Sequence, residues 1–260
     1  MSTQVILLAS VGTNVIRSKQ ASYDKIQHEL ADYTGLPVLQ VFTDDDTAKA
    51  VDDIDGGRIY TVESGIEVAI SMGAKEIVVV PVFMTKGELY NQLQQRVDFK
   101  KEHVDIKMTE AVLHDAEACD EVAALIEKIV PVKDDKEYLV VDHGNPNYHC
   151  QANTFLQQSF DKMGLANVKV IQLKERDSFG QAIAFLKSRE ADVRGTQVVL
   201  VPLIVAWGDY MANDLYNDEE SSLMWRLRHA GYRTIFTGEG FGEHPEFRAI
   251  YHKRFDELTK

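Results

Sequence analysis

An apolar run, VVLVPLIVAW at 198–207, stops abruptly at Gly208, Asp209 and Tyr210. A Val-rich run bounded by polar residues reads as a strand covered on both faces, the pattern of a parallel sheet in an α/β protein. In doubly wound sheets, ligands sit beyond the carboxyl ends of the strands. The Gly208-Asp209-Tyr210 turn is therefore where chemistry is expected.

The same pattern occurs earlier in the chain. VPVFMTKGEL from Val80 matches VPLIVAWGDY from Val201 with Pro and Gly at the same spacing, and SVGTN from Ser10 lies opposite DHGNP from Asp142. Strands are expected at 5–10, 38–43, 76–84, 137–142, 168–173 and 198–207. Helical patterns fall at 18–33, 64–72, up to 103, up to 163, and at 179–191, 223–230 and 245–258. Alternating strands and helices predict βαβ units on a parallel sheet. The reading is a duplicated α/β fold: residues 1–131 as an N-terminal domain and 132–260 as a C-terminal domain carrying the candidate site. IVPVKDDK, where a Pro and charges interrupt the pattern, marks the boundary. The last helix is expected to pack across the pair.

Charge narrows the function classes. With 28 Lys and Arg against 41 Asp and Glu, the net charge is −13, which argues against a nucleic-acid partner because phosphate binding needs clustered cations. No run approaches the roughly 20 apolar residues of a membrane span, and MSTQVILLASVG lacks a basic n-region. The expectation is a cytoplasmic protein with no membrane partner. Two cysteines, Cys119 and Cys150, without a CxxC pair speak against a disulfide framework or zinc ribbon.

Position by position, the second half has gained chemistry. His143 stands where the first half has Val11, Tyr210 where it has Leu89, and Glu175 follows the middle strand of the second half. Three ligands or proton carriers thus project from three strand ends of one domain. A neutral imidazole binds divalent metals or takes a proton near pH 7, and a carboxylate supplies an anionic oxygen or a base. The bland alternative is a turn-closing His and a solvated Glu.

His149 could face the same cleft, although a surface helix position suits it better. Asp209, Asp214 and the cluster Asp218, Glu219 and Glu220 could attract a cation, or could serve as a solvated face, with Asp218 or Ser221 as helix N-cap. GEGFGEHP at 238–245 lacks the GK[ST] of a phosphate loop.

PLIVAWGDYMANDLYNDEESSLMWRLRHAGY, followed by GEGFGEHPEFRAIY, resembles the C-terminal half of the anaerobic sirohydrochlorin cobalt chelatases, type II chelatases of cobalamin biosynthesis. SVGTN, VFT, VPVFMTKGELY and DHGNPNYH are similar to further segments of that family in the same order, so the resemblance covers essentially the whole chain.

The resemblance implies two similar α/β domains with a tetrapyrrole in the cleft between them. It implies a lyase that inserts a divalent metal into sirohydrochlorin or a related tetrapyrrole such as a porphyrin, cobalt foremost, with iron or nickel as alternatives. No organic cofactor is implied; Co2+ or Fe2+ is a substrate, and self-association is left open. Carried over by motif, the metal ligands fall on His143, Glu175 and position 210, with His143 and Glu175 catalytic. Gly12, Thr13, Phe83, Gly144 and Tyr210 fall beside the substrate. The chain departs from the family at Tyr210 and Phe83, where the family has His. A phenol has a reference pKa of about 10 and must lose its proton to bind metal well. The competing reading is a non-catalytic tetrapyrrole- or haem-binding relative or metal carrier.

Overall fold

The computed structural model of the chain describes residues 4–56, 59–100, 104–144, 150–175, 177–192, 195–208, 213–217 and 219–259. It divides into two units, Met1–Val112 with Phe241–Lys260, and Leu113–Gly240.

The first unit holds a parallel sheet in the order β3-β2-β1-β4-β5, from β1 (Gln4–Ser10), β2 (Val38–Phe42), β3 (Ile59–Thr61), β4 (Glu76–Pro81) and β5 (Asp105–Met108). Its helices are α1 (Ile16–Ala21), α2 (Tyr23–Thr34), α3 (Asp45–Asp55), α4 (Val62–Ser71) and α5 (Glu88–Lys100). Val5, Leu7 and Ala9 alternate on one face of β1 and pack with Val62, Ile66 and Ala69 of α4 and Leu93 and Val97 of α5. Two-residue spacing on the strand meets helical spacing on the helices, so one layer of apolar side chains seals that face.

The second unit holds a parallel sheet in the order β7-β6-β8-β9, from β6 (Lys136–Asp142), β7 (Val168–Gln172), β8 (Gln197–Pro202) and β9 (Arg233–Phe236). Its helices are α6 (Ala116–Ile129), α7 (Gln151–Lys162), α8 (Ser178–Ser188) and α9 (Leu223–His229). Leu139 and Val141 of β6 and Val198 and Leu200 of β8 share a core with Ala182, Leu186, Leu223 and Leu227. Two α/β sheets flanked by helices were expected, and two are present.

Several local expectations change. The helix expected at 18–33 is broken at Ser22, whose hydroxyl donates to Ser18 O at 2.6 Å, a local bond that competes with the helical ladder. The acidic stretch 44–55 is helix α3, capped by Asp44 Oδ1 accepting from Thr47 N at 2.7 Å. Acidic residues in a first turn suit the helix dipole.

Strands β4 and β8 end at Pro81 and Pro202, short of the apolar runs that contain them, because Pro has no N–H to continue a ladder. Both chains then make one more bond to the neighbouring strand, Val82 N to Ala9 O at 2.6 Å and Leu203 N to Val141 O at 2.8 Å. The N-cap of α9 is Ser222, not Ser221, with Trp225 N donating to its Oγ at 3.1 Å; Asp218 lies outside the described residues. Cys119 and Cys150 form no disulfide.

The division into units differs from a 1–131 and 132–260 split. Helix α6 joins the second unit, and the last helix, α10 (Pro245–Thr259), joins the first. Two buried guanidinium groups explain the second difference. Arg248 bonds both oxygens of Glu29 on α2, at 2.6 and 2.9 Å, and Arg254 Nη2 donates to Val112 O at 3.2 Å. Among the described residues no helix is long and apolar enough to cross a membrane.

Candidate functional site

The site grows from the carboxyl end of β6. Here Asp142 O accepts from Leu173 N and His143 O from Lys174 N, both at 2.9 Å. In the first unit Ser10 O and Val11 O accept from Thr43 N and Asp44 N at 2.8 and 3.4 Å. Hydrogen-bond register therefore places His143 where Val11 stands, as the paired motifs predict.

The next residue in each turn is a glycine for a steric reason. Gly144 has φ +71°, and a Cβ there would lie 2.8 Å from Gln172 Cβ; Gly12 has φ +100°, and a Cβ would lie 2.6 Å from the Phe42 ring. Left-handed backbone pressed against a neighbour leaves room for no other residue.

Asp142 supports the turn from beneath. Its carboxylate accepts from Asn153 Nδ2 at 2.7 Å and from the backbone N–H groups of His143 and Gly144. Burial pushes its pKa above the ordinary carboxylate value, and these hydrogen bonds oppose that rise.

The orientation of the His143 ring follows from one bond. Nδ1 lies 2.7 Å from Gly144 O, and a carbonyl can only accept, so Nδ1 carries the proton of the neutral ring and Nε2 presents its lone pair. Burial pushes the ring pKa from 6.5 down to about 4, with smaller opposing effects from Gly144 O and Asp214. At pH 7 the imidazole is neutral and can bind a metal.

Nε2 faces Asp214 Oδ2 at 3.5 Å, while Asp214 Oδ1 accepts from Lys174 Nζ at 2.9 Å. Leu215, fully buried in the core of the second unit, pins the helical stretch that carries Asp214. Histidine, carboxylate and ammonium thus meet at one strand end.

The other expected residues are distributed differently. Glu175 is exposed at the turn after β7, where its Oε2 accepts from Gln181 Nε2 at 3.4 Å. Thr13 is buried, with its Oγ1 accepting from Val15 N at 3.1 Å. Phe83 is 7% exposed and packs in the apolar core of the first unit. Tyr210, His149 and Asp209 lie outside the described residues. Among the described residues no three His, Cys, Asp or Glu side chains converge on one metal position.

A family model described as cobalt chelatase (CbiK) matches residues 4–260. The chain belongs to the cobalt chelatase (CbiK) family. Among solved structures, SirB from Bacillus subtilis with Fe3+ matches with a TM-score of 0.66 at 17% identity, covering 98% of this chain and 95% of that one. The sirohydrochlorin chelatase SirB from the subspecies spizizenii, in complex with cobalt, matches at 0.65 and 14%, covering 98% and 94%. DR2241 from Deinococcus radiodurans, a multi-domain protein with structural similarity to chelatases, matches at 0.54 and 14%, covering 97% of this chain and 54% of that one. These likenesses establish the chelatase-like fold. No curated protein matches the chain.

Within this member of the cobalt chelatase family, sequence reasoning singled out His143 but left Asp214 among several acids and passed over Lys174 and Asp142. The available signal for Asp142 and Lys174 was their alignment with Ser10 and Asp44 across the repeat. A strand-end turn that exchanges a hydroxyl for an acid and an acid for a base has changed its electrostatics. Nothing in the local sequence signals that Asp214 reaches His143.

Proposed function

We propose that this protein inserts a divalent metal, cobalt in preference to iron or nickel, into sirohydrochlorin or a closely related tetrapyrrole. One observation carries the reading: in a chain of the cobalt chelatase family, a neutral imidazole at a strand end turns its Nε2 lone pair toward a carboxylate. Cobalt and Fe3+ in the SirB structures support a transition metal as the cation. Imidazole suits such a metal better than magnesium or calcium.

Insertion exchanges one M2+ for the two protons on the pyrrole nitrogens, so charge balances without a redox or group-transfer cofactor. His143 binds the metal through Nε2 and releases it to the macrocycle nitrogens. Its depressed pKa keeps protons from competing for that lone pair near neutrality. Glu175, exposed at the neighbouring strand end, is the second carboxylate of the site and hands the pyrrole protons to water. Tyr210 orients the macrocycle by a hydrogen bond. Gly144 shapes the turn that holds His143, and Gly12, Thr13 and Phe83 of the first unit are further residues assigned to substrate binding.

The test is an anaerobic assay of sirohydrochlorin with Co2+, Fe2+ or Ni2+, followed by visible absorbance. Wild type is expected to exceed the uncatalysed rate, fastest with Co2+, and His143→Ala to lose roughly 100-fold or more, the scale of losing a group that acts directly on the reacting species. Macrocycle binding with no rate above the blank would overturn the enzyme reading and leave a tetrapyrrole-binding relative.

A further inference from the structure

Two electron-pair donors face each other beside Lys174. His143 Nε2 presents a lone pair because Nδ1 donates to Gly144 O, and the atom opposite it is a carboxylate oxygen of Asp214 at 3.5 Å. With the ring proton on Nδ1, Nε2 has none to donate to that oxygen. A cation between them would convert the contact into an attraction. Bonds of about 2.0–2.2 Å from one metal to an imidazole nitrogen and a carboxylate oxygen, at a tetrahedral angle, set the two donors roughly 3.4 Å apart. The observed separation matches that edge.

Asp214 is held ready for such an ion. Its other oxygen accepts from Lys174 Nζ at 2.9 Å, and Lys174 is itself anchored by its backbone N–H on His143 O at 2.9 Å. The Lys174 side chain is 39% exposed, so its ammonium can swing into water when a divalent ion takes its place. Glu175, by contrast, is exposed and directed to Gln181.

We propose that Asp214 is a ligand of the arriving divalent metal, gripping it together with His143 Nε2, and that Lys174 is the ammonium the metal displaces. Two protein ligands with the remaining positions open hold an ion loosely enough to pass it on, as a substrate metal must be. The proposal rests on the chelatase reading only for the identity of the cation.

Equilibrium binding of Co2+ to the full chain without macrocycle, by calorimetry and by Co2+ visible absorption, tests it. His143→Ala should lose binding. Asp214→Asn should weaken it by roughly 10- to 100-fold or more, since even outer-shell partners of a ligand carry that much, and should change the Co2+ spectrum. Lys174→Met should tighten binding several-fold by removing the competing cation, an effect that a merely structural Asp214 would not produce.

Co2+ affinity within twofold of wild type in Asp214→Asn would overturn the proposal. If Asp214→Asn does not fold, Lys174→Met decides: tightening supports the site, and unchanged or weaker binding sinks it. Wild type that binds Co2+ through Asp214 yet fails the insertion assay would end the chelatase reading and leave the metal site standing. Insertion at full rate by Asp214→Asn would do the reverse.

Discussion

The turn after β1 and the turn after β6 share a backbone and differ in what they carry. Both end in a glycine with positive φ, and both bond the neighbouring strand through the two preceding carbonyls. Above that common frame, Ser10, hydrogen-bonded to Tyr23, corresponds to Asp142, hydrogen-bonded to Asn153. Val11 corresponds to His143. Asp44, which caps α3, corresponds to Lys174, which holds Asp214. A frame that is indifferent to side-chain chemistry can therefore carry a structural turn in one unit and the candidate site in the other. The exchange of Ser10 for Asp142 places a half-buried acid under the site, and that of Asp44 for Lys174 puts a cation beside it.

Placing a methyl on each glycine would show how far the frames are equivalent. In Gly12→Ala the new Cβ meets the buried Phe42 ring at 2.6 Å on a backbone with φ +100°, and in Gly144→Ala it meets Gln172 Cβ at 2.8 Å with φ +71°. Backbone strain and overpacking together should cost about 2–4 kcal/mol at Gly12 and about 1–3 kcal/mol at Gly144. Urea denaturation of the two variants measures this. The comparison predicts a further split: Gly144→Ala loses Co2+ affinity along with stability, because the carbonyl that orients His143 moves. Gly12→Ala loses stability alone. Equal loss of Co2+ affinity in both variants would break it.

How much of this was legible in the sequence follows the same division. The alignments of Val11 with His143, Gly12 with Gly144 and Pro81 with Pro202 were readable because they are local patterns, and the register of the strands upholds each of them. Edge strands β3, β5 and β9 went unread because they are short, and β5 and β9 are partly exposed, so no apolar run marks them. The apolar stripe of α10 showed a helix, but not that Arg248 would seek Glu29 and so tie it to the first sheet. Asp214 is the sharpest case. Its meeting with His143 depends on where the buried Leu215 fixes the chain, and single-residue periodicity does not encode that.

A difference in pH response should follow from His143. Its folded pKa of about 4 lies below its ordinary 6.5, so between these values the unfolded chain takes up a proton that the folded chain does not. The contribution of the neutral ring is therefore complete above pH 6.5 and is lost as pH falls through about 4. Lys174 and Asp214 face the ring, and Asp142 lies beneath it with a raised pKa of its own, so the clean observable is a difference between proteins. Wild type should lose roughly 1–3 kcal/mol more than His143→Ala between pH 7 and 4.5. Urea midpoints at the two pH values that move in parallel would show that burial of His143 has no such effect.

The smallest expected effect lies at the counterpart of His143. Val11 is 37% exposed, and its backbone carbonyl makes the bond to Asp44 N that the frame requires. Removing its two methyl groups leaves that bond intact and opens no buried cavity. Val11→Ala should therefore fall within about 0.5 kcal/mol of wild type in urea denaturation, as surface substitutions do, and leave Co2+ binding unchanged. A larger loss of stability would mean that the first turn depends on its side chain as the second does. The contrast between an indifferent frame and a committed one would then have to move elsewhere, to Ser10 and its bond with Tyr23.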